Sequence, residues 1–385
     1  MHNDSIHPIS NRSSGSLRES SASRKTIMIA AGGTGGHVFP ALAVAQGLRA
    51  IDLDVVWLGT RKGIESKVVP ENKFVIHFIN VAGVRGKNLL SWIKAPVLLL
   101  AAVMSTISII RKTKPCCVLG MGGFASAAAG IAAFICRVPL ILQEQNSIPG
   151  TTNRLLAPIA TKIFTGFPAA FKANPKSHFS GNPLRAALYE IDEPSVRIAT
   201  DTSPLRLLIL GGSLGAHALN CVLPQALAQL RNDNSAYNDI SVVHQTGVND
   251  VEDVQRQYAL AGIDATVSAF IADMSQAYSA ADLVIARSGA LTVTELAAAG
   301  VASLLIPYPY ATDDHQTANA QWLVDVGAAT LVHQADFSIN KACDLLAELL
   351  QDRKALLKKA QQARSLATPS ATQIIVNACQ EFSYV

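Results

Sequence analysis

Three glycine-rich stretches have the residue types and spacing to handle an anion: "GGTGGH" at 32–37, "LGGSLGAHALN" at 210–220 and "ARSGALTVTELAAAG" at 286–300. Each begins where an apolar run stops and gives way to helical periodicity. The opening N–H groups of such a helix have no acceptor of their own and can be offered to a phosphate. In the first stretch Thr34, Gly35 and Gly36 would present N–H groups and the positive helix end to a diphosphate or a reacting oxygen. His37 stands beside them as a base or a diphosphate contact; a tight turn with a structural histidine is the alternative. Two familiar loops are excluded by spacing. G-x-G-x-x-G would need glycine where Val38 stands, and the Walker loop would need Lys-Ser/Thr after its last glycine, where the chain has His37.

The other polar groups fall at similar places. Ser213 sits where it can donate to a phosphate oxygen. Glu295 lies in the first turns of a helix opening near Leu291, where a carboxylate can accept two ribose hydroxyls; Thr292 and Glu295 also satisfy capping-box spacing. "LQEQNSIPGTTNR" sets Glu144, Gln145 and Asn146 directly after a strand, and "FSGNPLR" puts Arg185, a diphosphate-neutralising guanidinium, at a domain boundary. "PYPYATDDHQTANA" adds Gln316 and Asn319, suited to sugar hydroxyls. Asp52-Leu53-Asp54 has a D-x-D pattern but precedes its strand, at the wrong sheet edge, and no H-E-x-x-H or Cys/His cluster is present. No metal site is expected.

Positioning these groups requires strands that end at one edge. Strand-like runs are read at Thr26–Ala31, Asp54–Gly59, Phe74–Ile79, Cys117–Gly120, Leu140–Gln143 and Lys162–Thr165, with helical stretches between them. A second series follows at Leu205–Leu210, Ile240–His244, Thr266–Phe270, Leu283–Ala286 and Ser303–Pro307. Alternating strands and helices mean parallel pairing with right-handed crossovers. The pattern predicts two Rossmann-like, doubly wound parallel-sheet domains facing across a cleft lined by the glycine loops. Residues 1–25, rich in Ser, Asn and Arg and without the apolar core of a signal peptide, read as a disordered tail. The first domain is expected over 26–184, a turn-rich linker over 185–203, the second domain over 204–364, and a C-terminal helix over 365–385 that packs back on the first domain.

Composition agrees with this architecture. Of 385 residues, 49% are hydrophobic and only 16% charged, as befits central strands buried on both faces. A net charge of +4 is too small to make nucleic acid the main partner. Six cysteines without a C-x-x-C pair read as reduced core residues of a cytosolic protein. Ala95–Ile110 is shorter than the roughly 20 residues of a membrane span, and glycines divide Pro115–Cys136 into a strand and a helix, so no transmembrane segment is expected. "VAGVRGKNLLSWIKAPVLLL" combines Leu89, Leu90, Trp92 and Ile93 with Arg85, Lys87 and Lys94, a mixed apolar and basic surface suited to anionic headgroups, although a core helix explains its leucines as well.

Taken in order, "GGTGGHVFPALA", "GMGGFASAA", "QEQNSIPGTTNR", "GNPLR", "GGSLGA" and "RSGALTVTELAAAG" make the chain from Thr26 onward resemble the MurG family of peptidoglycan glycosyltransferases, of the two-Rossmann GT-B class. The resemblance implies inverting transfer of N-acetylglucosamine from UDP-GlcNAc to the C4 hydroxyl of lipid I, forming lipid II, without a cofactor. It places the protein peripherally on the cytoplasmic face of the inner membrane, with cell-wall synthesis proteins as further partners. It also implies donor contacts at Thr34, Gly35, Gly36, Asn146, Arg185 and Ser213, at Ile271 through its backbone near uracil, at Ala290, Leu291, Thr292, Val293, Thr294 and Glu295, and at Gln316. The loop "YATDDH" before Gln316 departs from the family pattern. His37 is the expected general base. Other GT-B enzymes using UDP-GlcNAc, UDP-GlcNAc 2-epimerases and a non-catalytic lipid-carrier binding module are the competing readings.

Overall fold

The structure is a computed structural model that describes residues 25–80, 89–198, 204–212 and 215–384. Its first sheet has seven strands: β1 (Thr26–Ala30), β2 (Asp54–Gly59), β3 (Val75–Phe78), β4 (Cys117–Gly120), β5 (Leu140–Glu144), β6 (Lys162–Thr165) and β7 (Ser177–Phe179), in the order β3-β2-β1-β4-β5-β6-β7. Its second has six: β8 (Leu205–Leu210), β9 (Ile240–Gln245), β10 (Asp264–Ser268), β11 (Leu283–Ala286), β12 (Ala302–Leu305) and β13 (Ala329–Leu331), in the order β10-β9-β8-β11-β12-β13. Every pairing is parallel. In both sheets the order reverses beside the strand that precedes a glycine loop, next to β1 and next to β8. That is the crevice where doubly wound sheets take ligands.

The central strands β4, β5, β11 and β12 are buried along their whole length because helices cover both faces. Two outer strands, β7 and β13, are additional to those read from the chain. Each has three residues, and β7 is mostly exposed, too short and too polar for an alternation signal. β10 begins two residues earlier than the apolar pattern suggests, because Phe270 lies past the ladder and is exposed.

Each sheet face has its own core. Ile27, Ile29, Val44, Leu48 and Trp57 pack with Ile375, Val376, Ala378 and Cys379 of the helix Ala371–Glu381, so the end of the chain completes the first half. The segment after β7 is packed as well. Leu184, Leu188 and Ile191 join the core of the second half, and Arg197 donates to the carbonyls of Ala299 and Gly300. All six cysteines are free.

The helix Leu89–Thr113 has two faces. Its Pro96–Thr113 part is long and apolar enough to cross a membrane by length and composition, which the shorter Ala95–Ile110 reading did not register. Ala102, Val103, Ile107 and Ile110 are instead buried against Ala125, Ala128 and Ala132 of the helix Gly123–Cys136. Val97, Leu100 and Met104 remain exposed on the other side.

Candidate active site

The first glycine loop is anchored from behind. The Ala30 carbonyl accepts from Met121 N at 3.0 Å and Ser126 Oγ at 2.7 Å, and the Ala31 carbonyl accepts from Nε1 of the fully buried Trp57 at 2.8 Å. Gly33, with φ +95°, turns the chain and donates its N–H to Glu65 Oε2 at 3.0 Å. The helix starts at Gly35, earlier than the apolar pattern shows, because two glycines hide its first turn. Thr34 caps it in an extended conformation without a side-chain bond, which leaves the opening N–H groups of Gly35 and Gly36 without an acceptor inside the helix.

His37, the third helical residue, is half-buried against the β4 turn. A Cβ on Gly122 would lie 3.2 Å from its Nε2, and one on Gly123 would lie 3.6 Å from its Nδ1, so the glycines of "GMGG" make room for the ring. Burial lowers its pKa most; Glu144, the Gly32 carbonyl and Glu65 oppose that, and His315 adds to it. A ring held neutral, with carboxylates nearby to stabilise the imidazolium, has the electrostatics of a general base.

The polar run after β5 divides into scaffold and interface. Glu144, 2% exposed, accepts from the N–H groups of Asn146 and Gly150 at 3.0 and 2.9 Å and from Asn153 Nδ2 at 2.9 Å. Gln145 is equally buried and donates to the Met121 carbonyl at 3.1 Å. Both shape the loop. Asn146 faces the second half, where Asn319 Nδ2 donates to its Oδ1 at 3.3 Å and Asn319 Oδ1 accepts from Ser147 N at 2.8 Å. Asn319 also donates to the Ser288 carbonyl and is fully buried. Its place among sugar-binding candidates is therefore corrected: its amide is spent joining the two halves.

In the second half, the helix Ala290–Ala299 follows Gly289 directly and has no side-chain cap. That removes the capping-box reading of Thr292 and Glu295. Glu295 instead accepts from Tyr278 Oη at 3.0 Å, and burial raises its pKa to about 7 against the opposing effects of Tyr278 and Arg185. At the entry of this helix Ala290 is buried and Leu291 and Thr292 are half-buried, while Val293 is packed in the core and Thr294 Oγ1 donates to the Ala290 carbonyl at 3.0 Å. Val293 N already donates to the Gly289 carbonyl at 3.0 Å, so the open N–H groups at this helix entry are those before Val293. Ile271 is half-buried just after β10, packed on the same core. Gln316 Oε1 accepts from Tyr308 N at 2.9 Å, tying it to the loop after β12.

Arg185 is exposed, and its guanidinium lies 5.3 Å above the Phe39 ring, which brings it from the second half to the first glycine-loop helix. Ser213, Arg85 and Lys87 lie outside the described residues, as do the side chains of Leu90, Trp92, Ile93 and Lys94 on the helix Leu89–Thr113. Four residues of this site were missed in the sequence: Trp57, Phe39, Tyr278 and Glu65. The available signal was a single one, the acid that closes "GTRKGIE", preceded by two glycines. Among the described residues no group of three or more His, Cys, Asp or Glu could hold a metal ion.

Two doubly wound parallel domains, joined across their loops by Asn319 on Asn146 and Ser147 and by Arg154 on Asp313, have the architecture of the two-Rossmann, GT-B glycosyltransferases. The chain belongs to glycosyltransferase family 28: the family's N-terminal domain model matches residues 27–165 and its C-terminal domain model residues 206–375. It is 47% identical over 358 residues, 93% of this chain and 99% of the relative, to the UDP-N-acetylglucosamine–N-acetylmuramyl-(pentapeptide) pyrophosphoryl-undecaprenol N-acetylglucosamine transferase of Pseudomonas savastanoi pv. phaseolicola. The crystal structure of Acinetobacter baumannii MurG superposes with a TM-score of 0.79 at 38% identity, covering 93% of this chain and 99% of that one. A UDP-GlcNAc 2-epimerase from Neisseria meningitidis bound to UDP-GlcNAc matches with a TM-score of 0.62 at 15% identity, covering 93% and 100%, a likeness of fold alone.

Proposed function

We propose that the chain transfers N-acetylglucosamine from UDP-GlcNAc to the C4 hydroxyl of lipid I, forming lipid II of peptidoglycan synthesis. The observation that carries this reading is the placement of His37 beside uncapped helix N–H groups, at the edge where the second half brings Arg185 and Glu295, in a chain nearly half identical to the Pseudomonas transferase. The acceptor hydroxyl gives its proton to the neutral imidazole as its oxygen bonds to the anomeric carbon. The bond from that carbon to the diphosphate oxygen breaks with its electron pair, so UDP leaves and the configuration inverts. Helix N-termini and Arg185 stabilise the charge that develops on the diphosphate. Glu295 takes the ribose hydroxyls, and Ile271 lies beside the uracil.

Association with the cytoplasmic face of the inner membrane belongs to the same proposal. It is supported by Val97, Leu100 and Met104, exposed on the helix that carries Leu90, Trp92, Ile93 and Lys94, and by Phe134 and Ile135 on its neighbour. Incubating UDP-GlcNAc with and without a lipid I analogue tests the chemistry. UDP release that requires acceptor is the expected result; loss of UDP-GlcNAc without acceptor indicates an epimerase, and neither indicates a binding module. Liposome flotation tests the surface, with weaker binding expected when Leu90, Trp92 and Ile93 are changed to Ser.

A further inference from the structure

Glu65 is the first residue of the helix Glu65–Glu71, one strand away from the glycine loop, and no part of the transfer chemistry uses it. Its side chain is fully buried. One oxygen accepts from Gly33 N at 3.0 Å, and the other accepts from both the N–H and the hydroxyl of Thr60 at 2.8 Å. Three glycines surround it: a Cβ on Gly32, Gly59 or Gly63 would come within 2.5, 2.7 or 1.9 Å of a Glu65 side-chain atom. The chain has therefore omitted side chains at three positions around one carboxylate. Such a group holds its donors firmly, since hydrogen bonds to a buried carboxylate are charge-assisted and roughly twice as strong as neutral ones.

We propose that Glu65 is a positioning residue for the transfer step, locking the Gly33 turn so that the N–H groups of Gly35 and Gly36 and the His37 ring meet the acceptor side of the cleft. The assignment of a reaction to that loop rests on the transferase reading; the lock itself does not. Taking up the Gly33 N–H leaves the next amides as the ones directed outward. The carboxylate also places negative charge behind His37, which is faced by Glu144 and His315 as well.

Glu65→Gln separates this role from a purely structural one. The amide keeps the shape and can still accept from Thr60, but it presents an NH2 group or a weaker acceptor to the Gly33 N–H. Expected are a ten- to hundredfold loss of kcat/KM for the lipid I analogue, an unchanged Kd for UDP, and an acid limb of the pH–rate profile shifted to lower pH, because the loss of a nearby anion lowers the pKa of His37. Amide exchange across residues 32–36 should quicken by at least tenfold. Wild-type kcat/KM or an unmoved acid limb would overturn the role in transfer, and unchanged exchange would overturn the lock. Should the wild-type chain release no UDP with acceptor, the transferase reading fails while the exchange measurement still judges the lock. If E65Q does not fold, Thr60→Val, which removes only the hydroxyl donor, should lower kcat/KM two- to fivefold with UDP affinity intact; a wild-type result there overturns the proposal.

Discussion

The two halves of the molecule repeat a strand, a glycine turn and a helix, yet they hold the turn by different means. After β1 the turn is gripped by side chains: Glu65 on the Gly33 N–H, Trp57 on the Ala31 carbonyl and Ser126 on the Ala30 carbonyl. After β8 the described residues are held mostly by backbone: Gly211 N donates to the Gln245 carbonyl at 3.1 Å and Gly215 N to the Gly212 carbonyl at 3.0 Å, with Gln245 Nε2 on the Gly212 carbonyl at 3.4 Å. A Cβ on Gly215 would lie 2.1 Å from the Thr246 carbonyl oxygen, and one on Gly211 would lie 2.6 Å from Ala216 N. A Cβ on the first glycine of the other pair, Gly32, would instead meet the Glu65 carboxylate at 2.5 Å, whereas Gly33 and its counterpart Gly212 both have open space, with nothing within 4 Å. A turn held by a carboxylate carries charge into its surroundings and can tune a neighbouring base. Among its described residues, a turn packed against backbone brings no charged side chain, which leaves recognition of an anion to its helix N–H groups.

The largest expected effect tests the first turn. His37→Ala should lower kcat by about 10²–10⁴-fold, the usual contribution of a positioned general base, while UDP binding in the second half persists. Turnover at the wild-type level would remove His37 from the mechanism. The next comparison sets one turn against the other. Both Gly215 and Gly33 have positive φ, +79° and +95°, so alanine strains each by about 1–2 kcal/mol. Gly215→Ala adds a backbone collision and should cost about 3 kcal/mol or more in all, read as a lower melting temperature and weaker UDP affinity. Gly33→Ala should affect turnover before UDP affinity. The reverse order would break the contrast between a shape-held and a charge-held turn.

How legible this was in the sequence follows the same divide. Strand edges and glycine turns could be read because they are local: an apolar run, a glycine pair and a helical period are all within twenty residues. The partners could not. Gly33 and Glu65 are 32 positions apart, Asn146 and Asn319 are 173 apart, and their meeting depends on how the sheets stack their loops. The polar run Glu144-Gln145-Asn146 is visible in the sequence directly after a strand, but its division is not: Glu144 and Gln145 are buried in the scaffold, and Asn146 faces the second half. Asn319 had the chemistry for a sugar and was taken up by the domain contact instead.

Glu295 gives the second half a pH dependence of its own. Its folded pKa is raised to about 7, so the carboxylate that would accept ribose hydroxyls is progressively protonated below that pH. A protonated carboxyl has lost one charged acceptor. UDP affinity should therefore weaken by up to about tenfold per pH unit as pH falls below 7, and level off above it. Because raised acid pKa values mean that the folded state holds the proton more tightly, the same group stabilises the fold relative to the unfolded chain at low pH and loses that contribution as pH rises through 7. Glu295→Gln should flatten the affinity profile; a slope that survives the change would place the titrating group elsewhere.

The smallest effect is expected where the halves touch at their surface. Arg154 of the first half pairs with Asp313 of the second at 2.9 Å, with the two side chains 50% and 39% exposed. An exposed pair of this kind contributes about 0.2–1 kcal/mol and is screened by salt. Asp313 and Asp314 both have positive φ, near +52° and +50°, so the loop that departs from the family pattern carries strain that one ion pair of this size does not offset. Asn319, buried and bonded to Asn146, Ser147 and the Ser288 carbonyl, must then be the stronger tie between the halves. Arg154→Ala should change KM for either substrate less than about fivefold, and the change should vanish as ionic strength is raised. A larger or salt-independent effect would mean that the exposed loop, and not the buried amide, sets how the charge-held and shape-held turns face each other.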